Sequence, residues 1–464
     1  MAQTRNKKKK KETKLNKFDN KINSLIDSLI PAIMLLVPII FILYVLNIHG
    51  YLFPKGSTVF QLNYFYQFVL YILAGIYIYK VIIKKVIITK SDIFLFIFMF
   101  FTILSTIFAK NHNVALYGYP NRYEGMFTLL FYCFLYLDCK LLSSDVDVKY
   151  LIKIMISVSI IHLIVVISQL TGIYEKIIYM YTSGNAIGLT ENCNFLGSLM
   201  CLISAISISG YLLYNKQEKS YYYLFIMIVS YITLLLANSS GPFISLIVTF
   251  IILLIVLSIK KRIDVKKVVI VSILLITLYP ICLSKRDEIT PEIKSNIKII
   301  LNLFNNKEES SKLDGVDNNS DNNSYQPNVR DLGNGRIKIW KNVWSLIKEK
   351  PILGYGPDNL GLVYEKGPYD TKNADKAHNI YLHIFVSSGL FAVIGYVLWV
   401  GYTIYSGLKS KDNTILILCF GIIAYSIQGF FNINVIEVCP YFYLTVGFMM
   451  LLVKENKLSL GKNN

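Results

Sequence analysis

The sequence predicts an all-α, polytopic membrane protein with about 12 transmembrane helices and one long external loop between helices 9 and 10. Hydrophobic residues make up 54% of the 464 residues, and charged residues only 16%. Apolar runs recur along the chain, for example at 30–46, 94–108 and 268–283, and each is about long enough to cross a ~30 Å hydrocarbon layer. The runs lack the alternation of barrel strands, so their backbone groups are satisfied within helices. These features exclude a soluble enzyme.

The apolar runs divide the chain into five regions. Residues 1–28 form a basic tail, 29–284 carry helices 1–9, 285–379 form the external loop, 380–453 carry helices 10–12, and 454–464 form a second tail. The predicted membrane segments are 29–48, 63–83, 92–109, 125–142, 151–171, 194–214, 221–237, 242–258, 267–284, 380–405, 414–431 and 440–453.

The distribution of Lys and Arg predicts the orientation of these helices, because short cytoplasmic loops carry an excess of both. With the N-terminus inside, 28 of the 47 Lys and Arg residues fall in inner segments and four fall in short outer loops. The other 15 lie in 285–379 beside 14 acidic residues. We therefore expect both termini in the cytoplasm and a multi-pass protein of the cytoplasmic membrane. The lysine run of the N-terminal tail either binds anionic lipid or only fixes topology. The basic residues form no single face, so nucleic acid is not expected as a partner.

The sequence indicates no disulfide framework, metal site or cofactor. Its seven cysteines are odd in number and contain no CxxC pair. His383 lies five residues after His378, about 140° around a helix, so two histidine ligands on one face are not expected. The acidic residues of the long loop show no metal-ligand spacing.

The long loop contains two different kinds of segment. Residues 305–328 are rich in Asn, Asp and Ser and hold almost no aliphatic side chains, so we predict a disordered insert. Residues 335–350 place apolar side chains at Ile337, Trp340, Trp344 and Ile347, with spacings of three, four and three. This pattern predicts an amphipathic helix resting on the membrane surface or on the helical bundle.

Arg336, His378 and Arg122 are the candidate site residues. Arg336 stands in the first turn of the amphipathic helix, where a guanidinium and free N–H groups suit a phosphate or diphosphate; alternatively, it pairs with Asp331. His378 lies at the start of helix 10, where it is placed either for general-base chemistry or as an interfacial histidine bonded to backbone. Arg122 lies between helices 3 and 4, and it either pairs with Glu124 or helps Arg336 to neutralise a diphosphate.

Two motifs that flank the long loop resemble the O-antigen ligase and polymerase family of bacterial membrane glycosyltransferases. The first is Asn334-Gly335-Arg336 with Trp340 and then 351–356, PILGYG; the second is 378–382, HNIYL, with Gly389. Weaker matches are Arg122 with Gly125, and the stretch containing Gly188, Asn192, Asn194 and Gly197. After helix 7 many relatives carry Ser-Arg-Gly, whereas this chain has Ser239-Ser240-Gly241.

The resemblance implies transfer of a glycan from a polyprenyl diphosphate carrier to an acceptor hydroxyl at the outer face of the cytoplasmic membrane. His378 and Arg336 would be catalytic, and Arg336 and Arg122 would bind the diphosphate. The expected enzyme is metal-independent and inverting, and it needs no cofactor. Its partners would be the lipid-linked glycan donor, membrane lipid, and a glycan, lipid or protein acceptor. The implied reaction does not distinguish a ligase from a polymerase.

Three other functions compete with this interpretation. A polytopic transporter also often has twelve helices, but it predicts related halves and short loops. A flippase of lipid-linked glycans needs a cationic central cavity, whereas the predicted helices hold few internal Lys or Arg residues. A metal-dependent transferase of the oligosaccharyl or mannosyl type resembles proteins with acidic residues in the first outer loop, and 49–63 contains none.

Overall fold

The computed structural model describes residues 2–46, 58–120, 122–143, 146–170, 186–214, 217–283, 336–364 and 374–462. Within these ranges the chain forms helices joined by loops and turns, and no strand. Nine of the described helices are long and apolar enough to cross a membrane. The predicted all-α, polytopic membrane fold is therefore confirmed, and the count of twelve crossings stays a prediction.

Fifteen helices occur in the described ranges. They are α1 (Ala2–Leu46), α2 (Thr58–Ile82), α3 (Lys90–Ile107), α4 (His112–Tyr117), α5 (Met126–Cys139), α6 (Val148–Leu170), α7 (Cys193–Leu213), α8 (Gln217–Ala237), α9 (Ser240–Ile259), α10 (Val265–Leu283), α11 (Arg336–Glu349), α12 (Leu360–Val363), α13 (Ile380–Lys409), α14 (Asn413–Gln428) and α15 (Cys439–Lys462).

Helix α1 begins much earlier than the first apolar run. It passes through residues that the charge pattern assigns to a tail, because Lys and Glu are good helix formers and no Gly or Pro precedes Pro31. From Phe18 onward this part packs against the bundle. Asp19 pairs with Lys80 of α2, and Asp27 accepts hydrogen bonds from the backbone N and Oγ of Ser143 at 2.9 and 2.6 Å.

The centre of the bundle is formed by α7 and α14, which pack against each other and are largely buried. Helices α8 and α9 cover α7 and α14, respectively, and α5 packs between α2 and α15. Helix α10 lies at the periphery, where Ile273 and Ile276 are exposed, as expected for side chains that face lipid. The bundle therefore has an inner layer that other helices of the protein cover.

Helix α13 is broken at Gly389, and the break receives the turn that follows α11. Gly389 has φ +83°, a conformation that favours glycine. The carbonyl groups of Val386 and Ser387 accept hydrogen bonds from the backbone N–H groups of Tyr355 and Gly356 at 3.0 and 2.8 Å. The two motifs that flank the long loop are thus joined directly through their backbones.

Helix α11 lies within one residue of the predicted amphipathic helix at each end. Its buried side is formed by Asn342, Val343, Leu346 and Ile347, which pack beside the outer part of α13. Trp344 is 48% exposed and lies on another side. The helix therefore rests on the bundle and also presents an aromatic side chain outward. The predicted disordered insert, 305–328, lies outside the described residues.

Candidate active site

Three segments meet at the end of the bundle that carries α11. They are the loop 118–125 between α4 and α5, the turn 350–359 after α11, and the segment 374–379 before α13. Gly118 has φ +96° and lies so close to Tyr123 that an added Cβ would overlap its backbone. This close approach folds the first loop back on itself, and it brings Arg122 toward the segment that carries His378.

Arg122 forms an ion pair with Asp375, and not with Glu124 as one of the two sequence interpretations had it. Its Nε lies 2.5 Å from Asp375 Oδ2, and its Nη2 lies 3.3 Å from Oδ1. Burial alone would lower the pKa of Arg122, but the hydrogen bond and the charge of Asp375 outweigh it and raise that pKa. Burial would likewise raise the pKa of Asp375, yet Arg122 holds it below its usual value. Both groups are therefore charged at neutral pH.

His378 is partly buried and lies two residues before the start of α13. Its φ of +48° is rare for a residue other than glycine, and such residues concentrate at functional sites. Burial, together with the positive charges of Arg336 and Arg122, lowers the pKa of His378 to about 4 against the opposing charge of Asp375. The ring is therefore neutral near pH 7 and can accept a proton.

Arg336 is the first residue of α11. The indole Nε1 of Trp340, one turn along the helix, donates a 3.0 Å hydrogen bond to the carbonyl oxygen of Ala377. This bond ties the first turns of α11 to the residue before His378, and the charge of Arg336 acts on the His378 ring. The alternative partner Asp331 lies outside the described residues. The three predicted site residues thus come together, although Arg122 and Arg336 are far apart in the sequence.

The sequence interpretation missed Lys376. Its side chain is 1% exposed, and its Nζ lies 2.9 Å from Glu124 Oε2 and 2.6 Å from Asp358 Oδ1. Burial by itself lowers the pKa of a lysine, but Asp358 and Glu124 outweigh it and keep the pKa of Lys376 above its ordinary value. The available signal was weak, because Lys376 is one of 15 basic residues in the long loop and the acidic partners are distant in the chain.

The weaker sequence match around Gly188 and Asn194 lies on the neighbouring wall. Asn192 caps α7 by accepting the N–H of Asn194 at 2.8 Å, and Asn194 Oδ1 accepts a 2.7 Å hydrogen bond from Ser239 Oγ. The Cζ of Arg122 lies 5.8 Å from the centre of the Phe195 ring. Arg122 therefore lies beside the first turn of α7, where Asn194 is bonded to Ser239.

The described residues contain no group of three His, Cys, Asp or Glu side chains that could hold a metal ion. The angle of about 140° expected between His378 and His383 assumes that both lie on one helix. His378 instead precedes α13 and has a left-handed backbone conformation. His383 is on α13, and its Nε2 lies 3.4 Å from Lys376 Nζ.

A family model described as O-antigen ligase matches residues 224–397. This range runs from α8 into α13, and it includes Arg336, His378 and Gly389 but not Arg122. A search of curated proteins finds no match. The family-model match confirms the resemblance to the O-antigen ligase family that the two motifs predict.

Proposed function

We propose that this membrane protein transfers a glycan from a polyprenyl diphosphate carrier to an acceptor hydroxyl at the outer face of the cytoplasmic membrane. The family match supports a membrane glycosyltransferase of the ligase or polymerase type. The observation that carries the proposal is the meeting of Arg122, Arg336 and His378, because two cations beside a neutral histidine suit a reaction with an anionic leaving group.

In the proposed reaction the acceptor oxygen forms a bond to the anomeric carbon, and the bond from that carbon to the diphosphate oxygen breaks. The acceptor proton passes to His378, and the polyprenyl diphosphate leaves with the bonding electrons. Attack opposite the leaving group inverts the anomeric centre. Arg336 at the N-terminus of α11 would stabilise the charge that develops on the diphosphate, and the scheme uses no metal.

The charges around His378 also support a base whose pKa depends on whether the donor is bound. In the free protein, the two arginines lower the pKa of His378. A bound diphosphate would offset their positive charge and would place a negative charge near the ring, and both effects raise a histidine pKa. His378 would therefore become a stronger base when the donor is in place.

Arg122 would contribute as a second cation. Asp375 occupies its Nε and Nη2, which leaves Nη1 without a hydrogen bond to any residue that the structure describes. Its position against Phe195 supports a diphosphate-binding role in place of the arginine that is absent at Ser240.

The experiment compares His378→Ala with His112→Ala, because His112 is an exposed histidine of α4. Purified protein in lipid nanodiscs is given a synthetic polyprenyl-diphosphate disaccharide, and donor binding and glycan transfer are measured separately. We expect His378→Ala to bind the donor and to lose transfer by about 10² to 10⁴, the usual cost of losing a general base. Transfer at the wild-type rate by His378→Ala, or loss of donor binding, would remove the base assignment.

A further inference from the structure

The ion pairs of Lys376 connect three segments of the candidate site. Lys376 belongs to 374–379, Glu124 to 118–125 and Asp358 to 350–359. The ammonium group lies within hydrogen-bond distance of both carboxylates and is almost completely buried. A buried lysine needs such partners, because an unpaired charge in this environment is very unfavourable. The ion pairs of Lys376 therefore hold the three segments together at one place.

The carboxylates that bind Lys376 are themselves held by other groups. Asp358 Oδ2 accepts the backbone N–H groups of Tyr119 and Glu124 at 2.7 and 3.2 Å. Glu124 Oε1 accepts the hydroxyl of Tyr132 at 3.3 Å. Because both oxygens of each carboxylate have partners, neither carboxylate can turn without breaking a second interaction. The position of the ammonium group is correspondingly restricted.

The backbone around this network is strained. Six non-glycine residues in the described ranges have positive φ, and three of them are Tyr123 (+52°), Asp358 (+57°) and His378 (+48°). Tyr123 precedes Glu124, Asp358 binds Lys376 directly, and His378 follows Lys376 by two residues. Conformations of this kind persist where the surrounding structure holds them. The Lys376 ion pairs supply contacts at all three places.

Lys376 is also adjacent to the groups of the proposed reaction. The preceding residue, Asp375, binds Arg122. Since an ammonium group can only donate, His383 Nε2 accepts its hydrogen bond at 3.4 Å, and the proton of the neutral ring is then on Nδ1. That Nδ1 is buried and has no hydrogen-bond partner among the described residues. Lys376 is thus next to Asp375 in the sequence and is hydrogen-bonded to His383, and these two residues lie on either side of His378 in the chain.

We propose that Lys376 is a positioning residue, which holds His378 and the Arg122–Asp375 pair in fixed relation through its ion pairs with Glu124 and Asp358. The inference rests on the proposed function, in which His378 is the base and Arg122 a diphosphate ligand. Lys376 does not contact the reacting atoms in this scheme. The competing explanation is that Lys376 stabilises the fold and has no specific effect on the site.

Lys140 provides a matched control. Its side chain is also buried, and its Nζ lies 2.5 and 2.6 Å from the two carboxylate oxygens of the buried Asp92. Lys140 follows the C-terminal end of α5, whereas the candidate site adjoins the N-terminal end of that helix. Lys376→Met and Lys140→Met therefore remove equivalent buried charges, but only the first removal affects the candidate site.

The test follows His378 by NMR in full-length protein labelled with ¹³C-histidine in lipid nanodiscs, and glycan formation is measured in parallel. The charged groups that face His378 are Arg336 from α11, Arg122 from the first loop and Asp375 from its own segment. We expect the pKa of His378 to rise from about 4 toward the ordinary 6.5 in Lys376→Met, because a released segment becomes more hydrated. Glycan formation should fall at least about tenfold, because a small misplacement of the catalytic groups typically lowers the rate by that much or more.

Lys140→Met should change neither the His378 titration nor the glycan formed per folded protein. If Lys376→Met does not fold, Asp358→Asn takes its place, since asparagine retains an oxygen for the backbone N–H groups and loses the charge. A wild-type His378 titration in a folded Lys376 or Asp358 variant would overturn the inference. A shifted titration together with full activity of His378→Ala would instead reject the proposed function and leave the positioning effect intact.

Discussion

Gly389 packs against the carbonyl group of Ile352 so closely that no side chain fits between them. The backbone N–H of Leu390 donates a 2.8 Å hydrogen bond to the carbonyl oxygen of Pro351, and the turn after α11 continues the pairing toward Val386. Because this contact fixes the turn after α11 against α13, it couples the helix that begins with Arg336 to the helix that follows His378. The glycine of the histidine motif thus has a structural role at a distance from the site.

We predict that Gly389→Ala strongly reduces folded protein and activity. An added Cβ would overlap the Ile352 carbonyl oxygen, and alanine disfavours the φ of +83°. Gly401→Ala in the same helix is the control, because nothing lies within 4 Å of the added Cβ. The measurement is the amount of monodisperse protein after detergent extraction, with transfer activity per folded molecule. Equal yields of the two variants would show that the close approach is not required.

We predict that Arg336→Lys lowers glycan transfer by at least about tenfold, because one ammonium group cannot reproduce the bidentate contacts of a guanidinium with a diphosphate. Arg262→Lys is the control, since Arg262 lies between α9 and α10 and donates to the Lys411 carbonyl and Asn413 Oδ1. Product is compared in cells that lack the native gene. Unchanged product with Arg336→Lys would remove this residue from the site.

The sequence predicts the helices and the two outer motifs because both depend on local patterns. Apolar runs mark membrane segments, and the ends of α11 agree with its amphipathic spacing. The apolar spacing overestimates burial, since Trp344 belongs to the predicted apolar stripe but is half exposed. Helix α1 extends beyond the first apolar run, because the charged segment before residue 29 contains no Gly or Pro that would end a helix.

The ion pairs of the site could not be derived from the sequence. Arg122 and Asp375 are 253 residues apart, and Lys376 and Glu124 are 252 residues apart. Nearby acidic residues are the natural first guess for a partner, and for this reason Glu124 was a candidate for Arg122. The actual pairing follows from tertiary contacts among three loops. Local patterns contain no information about these contacts.

We predict that both termini are cytoplasmic and that 285–379 is external, on the basis of the charge asymmetry. Single cysteines at Ser311 and Ser410 are tested with an impermeant thiol reagent in intact cells, after Cys193 and Cys282, which are partly accessible, are replaced. Ser311→Cys should react, and Ser410→Cys should react only after the cells are opened. The opposite pattern of labelling would invert the topology.

We predict that kcat and kcat/KM of glycan transfer differ in their dependence on pH. The acidic limb of kcat/KM reports the free protein, in which the pKa of His378 is about 4, so this parameter should fall only as the pH drops through about 4. The acidic limb of kcat reports the donor complex, where the diphosphate raises the pKa of His378, and should lie at higher pH. Initial rates measured from about pH 3 to pH 8 locate both limbs. Coincident limbs would show that donor binding does not change the base.

The final prediction concerns Glu437, which lies between α14 and α15 and is 4% exposed. Its Oε1 has no hydrogen-bond partner among the described residues. Burial, with the negative charges of Glu191 and Glu124, raises the pKa of Glu437 from 4.5 to about 8. The folded protein therefore keeps this carboxyl group protonated at neutral pH, whereas the unfolded chain ionises it above about pH 4.5.

The sign of the effect on stability follows from this difference. Between pH 4.5 and 8 the folded state binds the proton more tightly, so ionisation of the unfolded chain increasingly favours unfolding, by at most about 1.4 kcal/mol per pH unit. Glutamine resembles the protonated acid in shape and does not ionise. We therefore expect Glu437→Gln to raise the melting temperature relative to wild type, by an amount that grows from pH 5 to 8 and is constant above 8. Thermal unfolding in detergent measures it, with the exposed Glu455→Gln as the control. A melting-temperature difference that is the same at pH 5 and pH 8 would show that Glu437 is ionised in the folded protein.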